Sequence, residues 1–323
     1  MEAPEISVVM GAYNGAPLLR ETVDSILSQE GPRLELIIVD DGSTDNTKNL
    51  LRQYADRDAR IRVITQDNQG LTMALIKGCA AANGEYIARQ DVGDISHPQR
   101  LNLQKQALDA DDDLSFVSCW TEFCGPEREF LYLVKGSGLV VSPAYIISET
   151  EENGVVDGPT CHPSVMIRKH SYIKIGGYRP EFYFGQDWDL WYRLAEVGKF
   201  QMINSTLYTA RVMPNSISAD NKARQEASAK LSLEALRHRI HGSSETETLR
   251  KAATIRPHSE KYSATARLRA KGFYFVGQCL RKNGDSRSIC YYRRSVQEYP
   301  YLLKPWIRIA QAKLGFDPNQ TRP

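Results

Sequence analysis

Carboxylate side chains follow apolar, strand-like runs at two places in the first hundred residues. Asp40 and Asp41 come directly after the run LIIV, and Asp91 and Asp94 follow the run YIAR. Two acids this close together are unfavourable at a buried strand end unless a positive charge or a donor group accompanies them. That partner is a divalent cation, a basic side chain or water. The spacing therefore indicates either an ion-binding site or a solvated turn.

The first acidic pair opens the segment DDGSTDNT, in which Gly42 permits a tight turn and Ser43 precedes a predicted helix. A carboxylate at the end of a strand can accept a hydrogen bond from a ring N–H of a nucleobase, and the N–H groups of a helix start can bind an anion. Alternatively, these residues only form a turn and an N-cap. The segment by itself is compatible with both interpretations.

Two further acidic positions have similar alternatives. Asp91 and Asp94 suit a hard cation that also contacts diphosphate oxygens, or else they lie in a surface turn where Asp94 or Ser96 caps a helix. Asp187 sits at the start of a predicted helix whose apolar face lies at residues 190–197. There it can act as an ionised general base toward a hydroxyl, or it can be an ordinary N-cap.

Strands and helices alternate over the segment that carries the first acids. The patterns predict strands at 6–10, 34–39, 61–64 and 85–89, and helices at 17–29, 44–54 and 70–82. This alternation predicts an α/β fold with a mostly parallel sheet flanked by helices. Ligands bind at the carboxyl ends of such strands, so the acids are expected to share one edge of the sheet.

The composition is that of a globular protein, with 41% hydrophobic and 25% charged residues in 323. No apolar run approaches the roughly 18 residues that a membrane span needs, and the N-terminal MEAPEIS lacks the pattern of a signal peptide. Six scattered cysteines indicate reduced thiols. We therefore expect a cytoplasmic location.

The net charge of +2 conceals an asymmetry between two parts of the chain. Residues 1–220 contain 20 basic and 31 acidic side chains, whereas residues 221–323, with mainly helical patterns, contain 21 basic and 8 acidic ones. We predict two domains with these bounds. The basic part either docks on the acidic part or contacts anionic lipid, peripherally at the inner face of the cell membrane. Nucleic acid is not expected, because no recognition module accompanies the charge.

Four blocks of sequence resemble the family 2 glycosyltransferases over residues 5–220. In chain order they are SVVMGAYNGAPLLRETVDSILSQ, LELIIVDDGSTDNT, DNQGLTMALIKGCAAANGEYIARQDVGDISHPQRL and GGYRPEFYFGQDWDLWYRLAEVGKF. The resemblance implies a GT-A (Rossmann-like) fold with a small helical C-terminal appendage. It also implies transfer of a hexose, with inversion, from a UDP-sugar to a hydroxyl of a glycan or lipid-linked acceptor. Such a reaction belongs to the synthesis of a surface polysaccharide or glycolipid.

The same resemblance implies a role for each site residue. Asp41 is expected to accept a hydrogen bond from uracil N3–H, Asp187 to deprotonate the acceptor hydroxyl, and Asp91 and Asp94 to hold Mn²⁺ or Mg²⁺ at the diphosphate. The implied donor-binding set is Ala12, Tyr13, Asn14, Asp40, Asp41, Gly42, Ser43 and Asp91. The implied acceptor pocket is His162, Gln186 and Trp188, although His162 can equally be structural and Trp188 can belong to the core.

Three positions depart from the family pattern. Gly93 replaces an acid, Gln186 replaces the Glu before the base, and Met213 stands where many relatives have His. These departures predict a weakened metal site. They also leave open a non-catalytic protein that binds nucleotide sugars as a scaffold. A nucleotidyltransferase is disfavoured because no glycine-rich triphosphate loop is found near the N-terminus, and no G-x-G-x-x-G follows a strand.

Overall fold

The computed structural model describes residues 2–136, 140–141, 158–214, 221–257 and 265–314. Contacts group the chain into two compact units. The first comprises Met1–Thr121, Val134–Thr209 and Arg224–Arg256, and the second comprises Glu122–Leu133, Ala210–Ala223 and Pro257–Pro323. The functional division into 1–220 and 221–323 stays a prediction beside this grouping by contact.

One sheet provides the framework of the fold, in the order β3-β2-β1-β4-β9-β6-β10-β5, with β7 paired to β6 and β8 to β10. Its strands are β1 Ile6–Ala12, β2 Leu34–Asp41, β3 Ile61–Gln66, β4 Tyr86–Asp91, β5 Ile95–Ser96, β6 Leu114–Cys124, β7 Phe130–Val134, β8 Val140–Val141, β9 Met166–Arg168 and β10 Lys199–Arg211. Strands β1 to β4 are parallel, and β9 pairs antiparallel with both β4 and β6. The predicted α/β sheet is therefore confirmed.

Helices connect these strands and follow them. They are α1 Leu19–Leu27, α2 Thr47–Arg57, α3 Leu71–Ala80, α4 Arg100–Ala110, α5 Lys169–Lys174, α6 Gln186–Val197, α7 Lys222–Ile240, α8 Thr246–Thr254, α9 Ala266–Lys282, α10 Ser288–Glu298 and α11 Leu303–Lys313. The largest difference from the predicted starts is in α2, which begins at 47 rather than 44. Helix α1 begins at 19 rather than 17, and α3 and α6 begin within one residue of the prediction.

Both faces of the parallel strands are buried, as β1 shows. Val8 and Met10 pack on one side with Leu19 of α1, whereas Val9 packs on the other side with Leu75 of α3. A strand that is apolar on both faces is typical of a sheet with helices on each side. This arrangement leaves the carboxyl ends of the strands as the place where polar side chains can gather.

In the second unit, α9 and α10 form the hairpin that the Asn283-Gly284 turn predicts. Gly284 has a φ of +72°, and the next helix begins at Ser288. Gly277 lies against the ring of Tyr292, where an added Cβ would come within 2.7 Å of the ring. The two helices therefore pack closely because one of them has no side chain at the contact.

Candidate active site

The predicted edge of the sheet brings acidic residues of β2 and β4 together on either side of β1. In the parallel register, Ala12 lies opposite Asp40 and Gly11 lies opposite Asp91. Asp41 is the last residue of β2. The structure thus places these donor-binding candidates at one edge, while their roles stay predictions.

Two loops at this edge are joined by hydrogen bonds. The Asn14 Oδ1 atom accepts hydrogen bonds from the backbone N–H groups of Thr44 (2.8 Å) and Asp45 (3.2 Å), and the Asn14 N–H donates to Ser43 Oγ at 3.0 Å. Asn14 and Ser43 therefore hold the loop before α2, whose N-cap is Asn46 rather than Ser43 or Thr44. Next to them, the Tyr13 side chain remains half exposed.

Asp41 fixes the start of α3. Its Oδ1 accepts a hydrogen bond from the Gln69 N–H (2.9 Å), and its Oδ2 accepts one from the Gly70 N–H (2.8 Å). Gly42, which follows it, has a φ of +75°, and a Cβ there would lie 2.7 Å from the Asn68 nitrogen. The Asp41 Oδ1 also accepts a hydrogen bond from Gln66 Nε2 at 2.7 Å. Because a carboxylate has about four acceptor positions, Asp41 can still accept one further hydrogen bond.

Asp40 has an acceptor that the described residues leave unfilled. Its Oδ1 accepts a hydrogen bond from the Ser43 N–H at 3.0 Å, whereas its buried Oδ2 has no partner within the described part of the chain. Unfilled buried acceptors are rare because they cost free energy. Asp40 is therefore a second candidate, beside Asp41, for a polar contact at this edge.

The turn that carries Asp91 and Asp94 depends on a glycine and a tyrosine. Gly93 has a φ of +100°, and its N–H donates to Thr22 Oγ1 at 2.8 Å. The Tyr208 hydroxyl donates to Asp94 Oδ2 at 2.9 Å and accepts a hydrogen bond from the Asp91 N–H at 3.3 Å. The turn is thus built from specific contacts and is not a loose surface bend.

The alternative that these residues cap a helix is wrong. Helix α4 begins at Arg100 with Gln99 at its N-cap, and Ser96 belongs to β5. Asp94 is 7% exposed, and its carboxylate faces Tyr208. Asp94 therefore stabilises the turn at the end of β4 and does not cap a helix.

A divalent cation would find two carboxylates in this turn. Asp91 forms an ion pair with Arg89, and Asp94 accepts the hydrogen bond from Tyr208. Within the described residues, no group of three or more His, Cys, Asp or Glu side chains could hold a metal ion. Met213 supplies only a thioether, which suits hard cations poorly. Two carboxylates fit Mg²⁺ or Mn²⁺ when diphosphate oxygens and water complete the coordination shell.

A buried arginine links this turn to His162. Arg89 donates from Nη1 to Asp91 and approaches His162 Nδ1 with Nη2 at 3.5 Å, while His162 Nε2 lies 2.7 Å from the Tyr178 hydroxyl. Because a guanidinium only donates, Nδ1 accepts and the ring proton sits on Nε2. Burial, with the charge of Arg89, holds the pKa of His162 well below its ordinary value. His162 is therefore a neutral, fixed polar group.

Asp187 lies in the first turn of α6, one residue beyond the first helical position. The N-cap is Gly185, so the N-cap alternative for Asp187 is wrong. Its Oδ1 accepts a hydrogen bond from the Trp188 N–H at 3.0 Å. Burial raises the pKa of Asp187, the positive charge of Arg89 lowers it and the negative charge of Asp91 raises it. Asp187 therefore shares one electrostatic environment with the strand-end turn.

The other two predicted acceptor residues flank Asp187. Gln186 is 8% exposed, and Trp188 is partly buried with its ring centroid 5.3 Å from that of Trp191 and 6.0 Å from that of Tyr192. Trp188 thus packs against the core cluster of the first unit. Its contribution to an acceptor pocket stays a prediction.

Arg100 is a residue of this site that the sequence did not reveal. It is fully buried, and its Nη2 donates to the carbonyl oxygens of Arg89 (2.9 Å) and Pro163 (2.8 Å), while its Nη1 donates to Ser96 Oγ (2.7 Å). Its guanidinium also lies 4.8 Å from the centre of the Tyr208 ring. Arg100 therefore joins the end of β4 to the segment that carries His162. Nothing in the run QRLNLQ distinguishes it from a surface arginine.

A second buried arginine positions Tyr178. Arg193 pairs with Asp189 one turn earlier in α6 and donates to the carbonyl oxygens of Ile175 (3.0 Å) and Gly177 (2.7 Å). The loop before Tyr178 is thereby held against α6. The spacing of Asp189 and Arg193, four residues apart, was the sequence signal for this pair.

Comparison with known proteins identifies relatives of this chain. The model of the family described as glycosyl transferase family 2 matches residues 7–175. A putative glycosyltransferase of Bacillus subtilis, EpsE, is 34% identical over 221 residues, which cover 64% of this chain and 73% of that protein. The chondroitin synthase of Pasteurella multocida is 26% identical over 218 residues, or 68% of this chain and 22% of that protein. The chain thus spans about a fifth of the length of that synthase.

Solved structures support the same fold. The structure of S. aureus TarS 1–349 in complex with UDP has a TM-score of 0.52 at 14% identity and covers 96% of this chain and 92% of that one. A mannosyltransferase from Pyrobaculum calidifontis, in complex with GDP-Man and Mn²⁺, has a TM-score of 0.54 at 18% identity. The match covers 96% of this chain and 84% of that one. With the family match and the sheet described above, these findings show that the chain belongs to glycosyltransferase family 2 and is a glycosyltransferase with a GT-A-type fold.

Proposed function

We propose that this protein transfers a hexose from a UDP-sugar, with inversion, to a hydroxyl of a glycan or lipid-linked acceptor during polysaccharide or glycolipid synthesis. The observation that carries the proposal is the gathering of Asp40, Asp41 and Asp91 at the carboxyl edge of the sheet, where Asp91 pairs with Arg89. The names of the chondroitin synthase and the hyaluronan synthase of Pasteurella multocida support a product of the polysaccharide class.

In this reaction Asp187 acts as the general base. Its carboxylate takes the proton of the acceptor hydroxyl, the hydroxyl oxygen forms a bond to the anomeric carbon, and the bond from that carbon to the diphosphate oxygen breaks. A single displacement of this kind inverts the anomeric centre without a covalent intermediate. A raised pKa suits this role, because it makes the carboxylate a stronger acceptor for the proton of the hydroxyl.

Donor binding is assigned to the loops at the sheet edge. The half-exposed Tyr13 ring can stack on the uracil base, and Asp41 has one acceptor position left for the ring N–H. Because Asn14 and Ser43 hold each other's loops, they position these two contacts. When a divalent cation is bound, Asp91 and Asp94 would hold it, and it would stabilise the negative charge of the departing diphosphate.

Acceptor binding is assigned to the side chains around Asp187. His162 presents a neutral ring whose orientation Arg89 and Tyr178 fix. Gln186 and Trp188 lie on either side of the base in the chain. This set can hydrogen-bond and stack on a sugar, which fits a glycan acceptor.

A second candidate function is a non-catalytic protein that binds nucleotide sugars. It is favoured by Gly93 and Gln186, which replace acids of the family pattern. It is also favoured by the ion pair of Asp91 with Arg89, which already occupies one of the two carboxylates proposed to bind a cation. Slow hydrolysis of the UDP-sugar distinguishes the two candidates. Hydrolysis that the wild type shows and that Asp187→Asn loses supports the transferase, whereas binding without any hydrolysis or transfer supports the scaffold.

Calorimetric titration of UDP into the purified protein, with and without Mn²⁺, tests the donor site. We expect binding that Mn²⁺ strengthens and that Asp94→Ala weakens, with Asp112→Ala as the control because that side chain is 98% exposed and lies 3.7 Å from Arg168. Equal affinity without Mn²⁺ would exclude the proposed cation. Failure to bind any nucleoside diphosphate would contradict the donor site as a whole.

We also propose that the basic C-terminal region holds the protein peripherally against the anionic cytoplasmic face of a membrane. Residues 221–323 carry 21 basic and 8 acidic side chains, and such segments are attracted to anionic lipid. Among the residues that the structure describes, no helix is long and apolar enough to cross a membrane. A lipid-linked acceptor would be reached from such a position.

A further inference from the structure

The last described helix, α11, exposes large apolar side chains in a row. Leu303 is 72% exposed, Trp306 49%, Ile307 54% and Leu314, directly after the helix, 80%. At about 100° per residue, these four positions and Ala310 fall within roughly a third of the helix circumference. Exposed apolar residues are common singly, but a contiguous row of them marks an interaction surface.

The opposite side of α11 is the one that packs against the protein. Pro305 is buried, and α11 packs against α10 within the second unit. The Trp306 indole Nε1 donates to the Pro300 carbonyl at 2.9 Å, which fixes the orientation of the ring. The apolar row is therefore held in solvent by the fold and does not result from a poorly placed helix.

Basic side chains flank this row. Lys304 and Arg308 lie on one side of it and Lys313 on the other, because their helical angles bracket the apolar sector. The segment from Leu303 to Leu314 contains no acidic residue. Cations beside an apolar sector with a tryptophan are the pattern of a helix that lies in the plane of a membrane interface.

We infer that α11 is the element that binds the membrane, with Leu303, Trp306, Ile307 and Leu314 inserted among the lipids and the flanking cations at anionic headgroups. This inference deepens the proposed membrane association, since it names the contact. The occupant follows from charge. A second copy of the chain, docked symmetrically through the same helix, would bring identical cations of both copies together, whereas anionic lipid is complementary to them.

Vesicle flotation of the full chain tests this inference. We expect the protein to float with vesicles that contain phosphatidylcholine and phosphatidylglycerol, and to float much more weakly with phosphatidylcholine alone, where only the inserted apolar side chains contribute. The double variant Leu303→Ser/Ile307→Ser should bind roughly tenfold or more weakly, because it removes two inserted side chains. Ile173→Ser, at an apolar position of the first unit that is 64% exposed, is the matched control and should bind like the wild type.

The fluorescence of Trp306 supplies a second measurement. Insertion should shift its emission to shorter wavelength, and lipids brominated near the headgroup should quench it, whereas Trp306→Phe should lose both effects. Binding to both kinds of vesicle alike, no binding, or binding that the double variant retains would each overturn the inference. A dimer in light scattering that the double variant abolishes would instead assign the row to a second copy.

The same variants separate this inference from the proposed reaction. Because α11 contributes no residue to the candidate active site, Leu303→Ser/Ile307→Ser should bind UDP with the affinity of the wild type. A protein that floats with anionic vesicles but binds no nucleoside diphosphate would contradict the reaction and leave the membrane helix standing. The reverse result would contradict only the membrane helix.

Discussion

At the scale of single residues, the candidate site combines Asp187, whose ionised form is disfavoured by burial, with the buried cation Arg89, which stabilises that ionised form. Asp187 has a raised pKa because it is buried, and Arg89 opposes that shift. Arg89 itself is 3% exposed and is held by Asp91 and by the carbonyl of Gln90. The charge of Arg89 therefore acts as a fixed influence on the base, and we regard Arg89 as a positioning residue.

The acid limb of the pH profile follows from this pair. The base is active when deprotonated, so kcat/KM should fall as the pH drops through the pKa of Asp187. In Arg89→Met the favourable charge is lost, the pKa of Asp187 rises further, and the limb should move to higher pH. In Arg89→Lys, which keeps the charge, the limb should move less. Asp187→Asn should reduce kcat by about 10²–10⁴-fold.

The profile is measured as initial rates of UDP release across pH. Arg250→Met, at a side chain that is 75% exposed, is the control and should leave the limb in place. An acid limb that stays unchanged in Arg89→Met would show that Arg89 does not influence the base. If Asp187→Asn kept the rate of the wild type across the pH range, Asp187 would not be the base.

Gly93 cannot simply be replaced by the acid that the family resemblance implies at this position. Its φ of +100° is strained for any side chain, and a Cβ would lie 3.0 Å from Leu18 Cδ1. Gly93→Asp should therefore lower the free energy of unfolding by about 1–3 kcal/mol, as measured by urea denaturation. Gly176→Asp, at a φ of +76° with nothing within 4 Å, isolates the backbone strain from the contact with Leu18. Equal losses in both variants would show that this contact is unimportant.

At the scale of elements, the sequence predicts the strands and helices that apolar periodicity determines. It does not predict the boundaries and links between elements that buried polar groups determine. Strands β1 to β4 were predicted because each contains an apolar run, whereas β5 to β10 were not predicted. The start of α6 was predicted to within one residue, because the acid Asp187 marks its first turn. The start of α2 was missed because Asn14, from another loop, holds the backbone before it. Such long-range hydrogen bonds leave no local pattern.

Arg100 provides a test of how much the buried hydrogen bonds between elements contribute to stability. Removing its guanidinium would take one donor from each of the Arg89 carbonyl, the Pro163 carbonyl and the Ser96 hydroxyl. Arg100→Met should therefore lower the free energy of unfolding by about 2–4 kcal/mol. Arg100→Lys should recover little of it, because an ammonium cannot reproduce the fork of donors.

Urea denaturation measures this effect, with Arg62→Met as the control. Arg62 is exposed and donates to one carbonyl, that of Ala81, at 3.3 Å. Its variant should change the unfolding free energy by less than about 1 kcal/mol. A small effect of Arg100→Met would mean that water replaces the guanidinium, and the link between β4 and the His162 segment would then be dispensable.

At the scale of the whole molecule, the distribution of charge matches the two proposed functions, sugar transfer and membrane binding. Residues 1–220 are net acidic and carry the candidate active site, whereas residues 221–323 are net basic and carry α11. The asymmetry was readable from the sequence, but the exposed row on α11 was not. A helical pattern shows which residues share a face and does not show which face the fold leaves in solvent.

Salt should weaken vesicle binding without abolishing it. The attraction of exposed cations is screened over about 10 Å at 0.1 M salt and about 3 Å at 1 M, while the inserted apolar side chains are not screened. Flotation at increasing KCl should therefore fall to a plateau in the wild type. In Leu303→Ser/Ile307→Ser it should fall to zero. Binding that does not respond to salt would contradict the contribution of Lys304, Arg308 and Lys313.

The hydrogen bonds between the Asn14 loop and the loop before α2 have a kinetic consequence. Because these loops already hold each other in the free protein, a nucleotide does not have to order them as it arrives. Association should then be a single step, with an observed rate that rises linearly with nucleotide concentration. Differences in affinity between nucleotides should appear almost entirely as differences in residence time.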